Sequence, residues 1–175
     1  MSATGSDPAP VKPETKPAVA APAPAPATPV FPPLPDPGLL ARVSIPFQAV
    51  EHALRGYHLD AIVQPDQVVF AAEDLDREGF ALDTITGVDW IAAGQMELVY
   101  DFFHPINGVR VVFRCRVPRE NPQVATISHL FPGANWHERE THDFFGIHFI
   151  GHPNLTPFLL PEDATYHPLR KDFVA

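Results

Sequence analysis

The plainest periodicity in the chain runs from Met96 to Val117. Met96–His104 is rich in apolar residues, Pro105-Ile106-Asn107-Gly108 carries an Asn-Gly turn signal, and the return run reads VRVVFRCRV. Val109, Val111, Phe113, Cys115 and Val117 point one way. Arg110, Arg114 and Arg116 point the other, with Val112 as the exception. The pattern predicts a hairpin with one buried face and one row of guanidinium groups, facing either solvent or an acidic partner surface. Cys115 lies on the apolar face and reads as a small buried residue.

Other elements flank this hairpin. Ser44-Ile45-Pro46 ahead of an apolar stripe at Phe47, Val50, Leu54 and Tyr57 predicts a helix over Pro46–Arg55. Leu59–Gln64 and Val68–Ala72, around Pro65-Asp66-Gln67, read as two strands joined by a turn. Glu73–Thr86 reads as a second helix, Val88–Ala92 as a short strand, and Pro122–Leu130 as a third helix. Helices interleaved with locally paired strands define an α+β class: a two-layer domain over residues 38–133, with a mixed or antiparallel sheet.

The pattern changes beyond residue 133. Asn135 followed by Glu138 matches a capping box, and Gly146 supplies a stop, so a helix is expected over Trp136–Phe145. Glu138–His142 and Arg139–Asp143 stand at ion-pair spacing along it. Glu140 shares a face with Trp136 and Phe144, and a buried carboxylate there needs a cation, from Arg170 or from a partner chain. After Gly146, Pro153, Pro157, Pro161 and Pro168 exclude regular structure across most of the segment. Yet Phe149, Ile150, Leu155, Phe158, Leu159, Leu160, Leu169 and Phe173 are large and apolar. Residues 134–175 are therefore expected to form a helix and an extended docking strap that lies along another protein.

Composition narrows the function. Of 22 prolines among 175 residues, 12 fall within Met1–Pro37, a stretch expected to be a disordered tail. The formal net charge is -9 and the longest basic run is Arg170-Lys171, which argues against a nucleic-acid partner. A single cysteine cannot supply the four thiolates of an ordinary iron–sulfur cluster. No apolar run approaches the ~20 residues that span a bilayer, and the N-terminus lacks a signal-type apolar core, so a cytosolic or membrane-peripheral protein is expected. Three chemistries compete on the histidine-rich stretch. His137-Glu138-x-x-x-His142 has one residue too many for the zinc-protease motif, so its rings diverge around the helix. A site built from His142, His148, His152 and His167, as in a free-standing metal-dependent hydrolase, lacks ligand spacing. Acid–base catalysis by Glu138, Glu140 or Asp143 is indistinguishable in spacing from helix-surface ion pairing, which is commoner.

Three blocks carry a family resemblance. They are Glu138-Arg139-Glu140-x-x-Asp143-Phe144-Phe145-Gly146-Ile147, then Gly151-His152-Pro153-x-Leu155, then His167-Pro168-Leu169-Arg170-Lys171-Asp172-Phe173. Together they resemble the signature of the thirty-kilodalton, C-type component of respiratory complex I, the NADH:quinone oxidoreductase. The family includes homologous subunits of membrane-bound energy-converting nickel–iron hydrogenases. The resemblance implies a non-catalytic scaffold subunit with no catalytic, cofactor or metal residues of its own. It would lie in the peripheral arm, on the cytoplasmic side of the cell membrane. Its expected partners are the large quinone-site (or nickel–iron-site) subunit and a cluster-bearing small subunit, which would hold the iron–sulfur clusters and the FMN or nickel–iron centre. The expected interface comprises Glu138, Arg139, Glu140, Asp143, Gly146, His152, Pro153, His167, Pro168, Leu169, Arg170, Lys171, Asp172 and Phe173. Thr156-Pro157 replace a basic residue usual in the respiratory form, and the sequence runs only to Ala175; both leave the hydrogenase type open.

Overall fold

The structure, a computed structural model, describes residues 43–174; the proline-rich tail expectation falls outside the described residues. The elements are β1 (Gln48–Ala49), α1 (His52–Arg55), β2 (Leu59–Val63), α2 (Val68–Arg77), β3 (Ala81–Trp90), β4 (Gln95–Phe103), β5 (Arg110–Pro118), β6 (Gln123–Ala125), α3 (Ala134–Phe145) and β7 (His148–Ile150). The fold is α+β. One mixed sheet has the order β1-β2-β5-β4-β3, and β6 and β7 pair separately.

The β4–β5 hairpin is central, as its alternation predicts, with Leu98 opposite Cys115 and Tyr100 opposite Phe113. Tyr100 and Phe102 both stack on Phe113, at ring distances of 4.6 and 5.5 Å. Cys115 is fully buried among them.

Four expected elements differ. Val68–Ala72 is helical rather than a strand. Val68, Ala71, Ala72 and Leu75 bury at steps of three, one and three, which is a helical stripe. Pro65–Gln67 forms a 3-10 turn in which Gln64 N–H donates to the Gln67 side chain, so it opens α2 instead of joining strands. The expected helix over Glu73–Thr86 therefore ends at Arg77, and β-branched Thr84, Ile85, Thr86 and Val88 extend β3 instead. The expected Pro46–Arg55 helix shrinks to four residues because Gln48–Ala49 pairs with β2. The expected Pro122–Leu130 helix is a short strand pairing in parallel with β7.

The arginine row is neutralised from within the chain. Arg116 meets Glu97, directly opposite in register, at 2.9 Å. Arg114 meets Asp60 at 2.6 Å, and Arg110 bridges Asp83 and Asp101. The acidic surface facing these arginines is supplied by β2, β3 and β4.

One close approach ties α3 to the sheet. Gly87 lies on the inner face of β3, and a Cβ there would come within 2.6 Å of the Phe145 ring. Gly87→Ala is expected to destabilise the chain by about 2 kcal/mol through overpacking, read as a lower denaturant midpoint with unchanged slope.

Candidate docking site

Helix α3 begins at Ala134 with Gly133 as its N-cap, and no side chain caps it. The expected Asn135–Glu138 capping box does not form. Glu138 is fully buried instead: Oε1 accepts the Ile127 N–H at 2.9 Å, and Thr126 Oγ1 donates to Oε2. Its nearest basic group is His152 Nε2 at 3.9 Å. Burial pushes the Glu138 carboxyl up to about 7, against these two hydrogen bonds.

The expected Arg139–Asp143 and Glu138–His142 pairs are also replaced. Asp143 Oδ2 accepts three successive N–H groups, from Phe158, Leu159 and Leu160, at 2.8, 2.7 and 3.2 Å. Arg139 donates to the carbonyls of Thr156 and Pro157, just ahead of them. Its guanidinium lies over the Trp136 and Phe158 rings, 5.3 and 5.1 Å from their centroids. His142 Nδ1 pairs with the Ile147 carbonyl.

The same strap closes the C-terminal end of α3. The last carbonyls of a helix have no intrahelical donors. Here His167 Nδ1 pairs with the Asp143 carbonyl, Leu169 N–H donates to that of Phe144, and Arg170 Nε to that of Phe145. Gly146 ends the helix at φ 73°, and a Cβ there would lie 2.5 Å from His167 Nε2. Farther on, Lys171 N–H donates to Asp89, which Arg119 holds bidentately at 2.9 and 3.0 Å. Arg119 also reaches Asp172.

The strap is inside out. Its backbone polar groups turn inward onto Asp143, Arg139, Asp89 and the helix end. Leu155 packs on the core and Leu160 is half-buried, but the other large apolar side chains turn outward: Leu159 is 54% exposed and Leu169 50%, with Phe158, Tyr166, Phe173 and Val174 also exposed. Trp136 of α3 joins them, 5.0 Å from Phe158 between ring centres. Of the expected interface residues, Glu138 and Asp143 are buried within the chain and cannot present their carboxylates outward. Gly146, His152, His167, Pro168 and Arg170 are half-buried in the strap's own contacts, as is Arg139. Glu140, Pro153, Leu169, Lys171, Asp172 and Phe173 are exposed. The expected burial of Glu140 against Arg170 is absent, since Arg170 is spent on the helix end. Asp89 and Arg119 escape sequence reasoning, because 82 residues separate Asp89 from Lys171 and no local pattern links them. Trp136 was legible as half of the aromatic pair flanking Glu140.

His142 and His167 meet edge to face, 6.4 Å between ring centres, but each spends its Nδ1 on a backbone carbonyl. Among the described residues no group of three or more His, Cys, Asp or Glu is placed to hold a metal ion. Nor is any described helix long and apolar enough to cross a membrane.

Residues 61–175 match the family model for the respiratory-chain NADH dehydrogenase 30 Kd subunit, and the chain belongs to that family. It is 38% identical over 149 residues to the C-type subunit of NADH-quinone oxidoreductase from Roseiflexus castenholzii, covering 79% of this chain and 84% of the relative. It is 37% identical over 93 residues to the C-type subunit of F(420)H(2) dehydrogenase from Methanosarcina mazei, covering 53% and 59%. Among solved structures, a chain of the membrane-bound sulfane sulfur reductase, an archaeal respiratory membrane complex, aligns with TM-score 0.69 and 25% identity over 78% of this chain and 82% of that one. A trypsin-resistant fragment of Nqo5 aligns with TM-score 0.51 and 30% identity, over 55% and 82%.

Two outcomes follow for the strap. Asp143→Ala strips three N–H groups of a charged acceptor, so the local opening free energy at Phe158–Leu160 should fall by about 3 kcal/mol. Faster amide exchange there, with β4 and β5 unchanged, is the expected reading. The second concerns acid. Arg119, helped by the Lys171 N–H and opposed by burial, holds the Asp89 carboxyl below its ordinary range. A carboxyl depressed by folding contributes stability that is present above its unfolded value and lost as pH falls through the folded one. The Lys171 amide should therefore lose protection below about pH 4, and Asp89→Asn should expose it already at neutral pH.

Proposed function

We propose that this chain is a non-catalytic scaffold subunit, of the thirty-kilodalton type, in a complex I-like NADH:quinone oxidoreductase. It supports electron transfer coupled to proton translocation without taking part in the chemistry. The observation that carries this reading is the inverted polarity of the strap. A segment that spends its backbone hydrogen bonds on its own chain and turns Phe158, Leu159, Leu169 and Phe173 outward is shaped to be covered. Covering such side chains contributes roughly 1.5–3 kcal/mol each when complete. The names of the relatives support the same role, since they are subunits of respiratory enzymes.

In this reading the covering partner is the large quinone-site subunit, with a cluster-bearing small subunit nearby. Those partners hold the iron–sulfur clusters and the flavin, and the chain is peripheral, on the cytoplasmic face of the membrane. Trp136, Glu140, Pro153, Leu169, Lys171, Asp172 and Phe173 touch the partner directly. Glu138, Arg139, Asp143, Gly146, His152, His167, Pro168 and Arg170 shape that face from behind.

A second reading keeps the scaffold role and changes the complex. The similarity to a component of F(420)H(2) dehydrogenase and to a sulfane sulfur reductase chain supports a complex with another electron donor or acceptor; within this reading the alternative complex is an energy-converting nickel–iron hydrogenase. Both readings share one test. Leu159→Glu with Leu169→Glu should leave the isolated chain folded, because both side chains are exposed, yet abolish co-purification with the complex. Glu140→Arg should weaken it. Retained assembly in the double variant contradicts docking through this face. The flavin and nickel content of the intact complex then separates the two readings.

A further inference from the structure

Glu138 raises a question that docking does not answer. It is 0% exposed, and its carboxyl receives two neutral donors, the Ile127 N–H and the Thr126 hydroxyl. A buried carboxylate without a cation is costly and tends to keep its proton instead. The basic group nearest it, His152, is held neutral by its own contacts. Asn154 N–H donates to His152 Nδ1 at 3.1 Å, which occupies the lone pair that a second proton would need. The ring proton therefore lies on Nε2, shared between the Asn135 carbonyl at 3.3 Å and Glu138 Oε2 at 3.9 Å.

Behind the carboxyl runs a reversible hydroxyl chain. Thr126 Oγ1 lies 2.8 Å from Ser128 Oγ, and either can donate. With Glu138 ionised, Ser128 donates to Thr126 and Thr126 to the carboxylate. With Glu138 protonated, both bonds reverse. The site thus accepts both forms without moving a heavy atom, but only the ionised form buries a net charge. From β4, Tyr100 brings a buried hydroxyl that has no hydrogen-bond partner among the described residues. Burial lowers the proton affinity of His152, against the hydrogen bond to the Asn135 carbonyl, and Arg139 and His142, on α3 itself, lower it further.

We propose that Glu138 is a buried proton-binding site joining α3 to the β6–β7 ribbon: it holds one proton in the closed chain, and losing that proton loosens α3 there. The release falls on the alkaline side of the ordinary carboxylate range. The sign follows from linkage. A carboxyl whose folded value is raised contributes stability that is complete below its unfolded value and is lost as pH rises through the folded one. For Glu138 that window runs from about 4.5 to about 7.

The test uses the isolated full chain. Unfolding of the natural chain and of Glu138→Gln is compared across this window. The folded-to-unfolded ratio of the natural chain, relative to the Gln form, should fall by up to tenfold per pH unit as pH rises. The protection factor of the Ile127 amide should fall over the same range in the natural chain alone. Infrared spectra should show a protonated-carboxyl band that titrates near neutrality and is absent from the Gln form. Thr126→Val keeps the carboxyl and removes a donor to its ionised form, so its band should titrate at higher pH; this arm stands even if the Gln form misfolds. A natural chain whose carboxyl band is already lost by about pH 5, or a Thr126→Val midpoint that does not rise, overturns the proposal. These outcomes are independent of assembly, so failed docking would leave them unaffected.

Discussion

The structure beyond the sheet depends on one carboxylate. Asp143 is buried near the end of α3, where it gathers three backbone N–H groups that an extended, proline-interrupted segment could not otherwise satisfy. Charged acceptors form the stronger hydrogen bonds, and a short nest of N–H groups is a natural anion site. Once those groups are fixed inward, the side chains of Phe158 and Leu159 have only the outside to occupy. The outward apolar face is thus a consequence of where the backbone is pinned. The helix-end contacts of His167, Leu169 and Arg170 repeat the logic one turn farther on, and Asp89 with Arg119 repeats it at the strap's end.

The arginine face of the sheet contrasts with the strap face, where exposed apolar groups are left uncovered by the described residues. On the sheet, each arginine finds a carboxylate on a neighbouring strand, and even the Trp90 indole donates to Glu97 at 3.0 Å. Exposed pairs of this kind contribute little stability, but they leave no uncompensated row of charge for a partner to meet. On the docking side, Arg139 is already committed to carbonyls, while Glu140 makes no ion pair among the described residues and stands between Trp136 and Phe144. A carboxylate among aromatic rings is tolerable in water and costly once covered. That leaves a specific demand on whatever covers it, namely a cation opposite Glu140.

The β4–β5 hairpin, the end of α3 at Gly146 and the irregular, partly exposed apolar course of the segment beyond it were legible in the sequence, because each rests on local rules: alternation, a glycine stop, prolines among large apolar groups. Two failures have the same physical origin. Val68–Ala72 looked like a strand because β-branched residues and a preceding turn outweighed its helical stripe; the parallel pairing of β2 with β5 requires a crossover there, and crossovers are decided by tertiary structure. Glu138 looked like a capping residue because the motif fits. Its real partners, Thr126 and Ile127, lie on a turn that no periodicity ties to α3. Local patterns predicted where the helix was and misassigned what its charged residues bind.

The spacing of the three acids on α3 accounts for this. At 100° per residue, Glu140 lies about 200° around the helix from Glu138, and Asp143 about 140°. Glu140 and Asp143 are only about 60° apart, but Asp143 is buried beneath the three strap N–H groups while Glu140 is exposed, so the strap gives them separate surroundings. Each addresses a different neighbour: Glu138 the β6–β7 ribbon, Asp143 the strap, Glu140 the outside. A helix arranged this way serves as an axle between two internal attachments and leaves its third acid exposed. It explains why so dense a charged block can occur in a chain whose role is to hold others. It also sets the cost of changing any one acid. Loss of Asp143 frees the strap, loss of Glu138 frees the ribbon, and only Glu140 can be altered with the isolated chain left as it is.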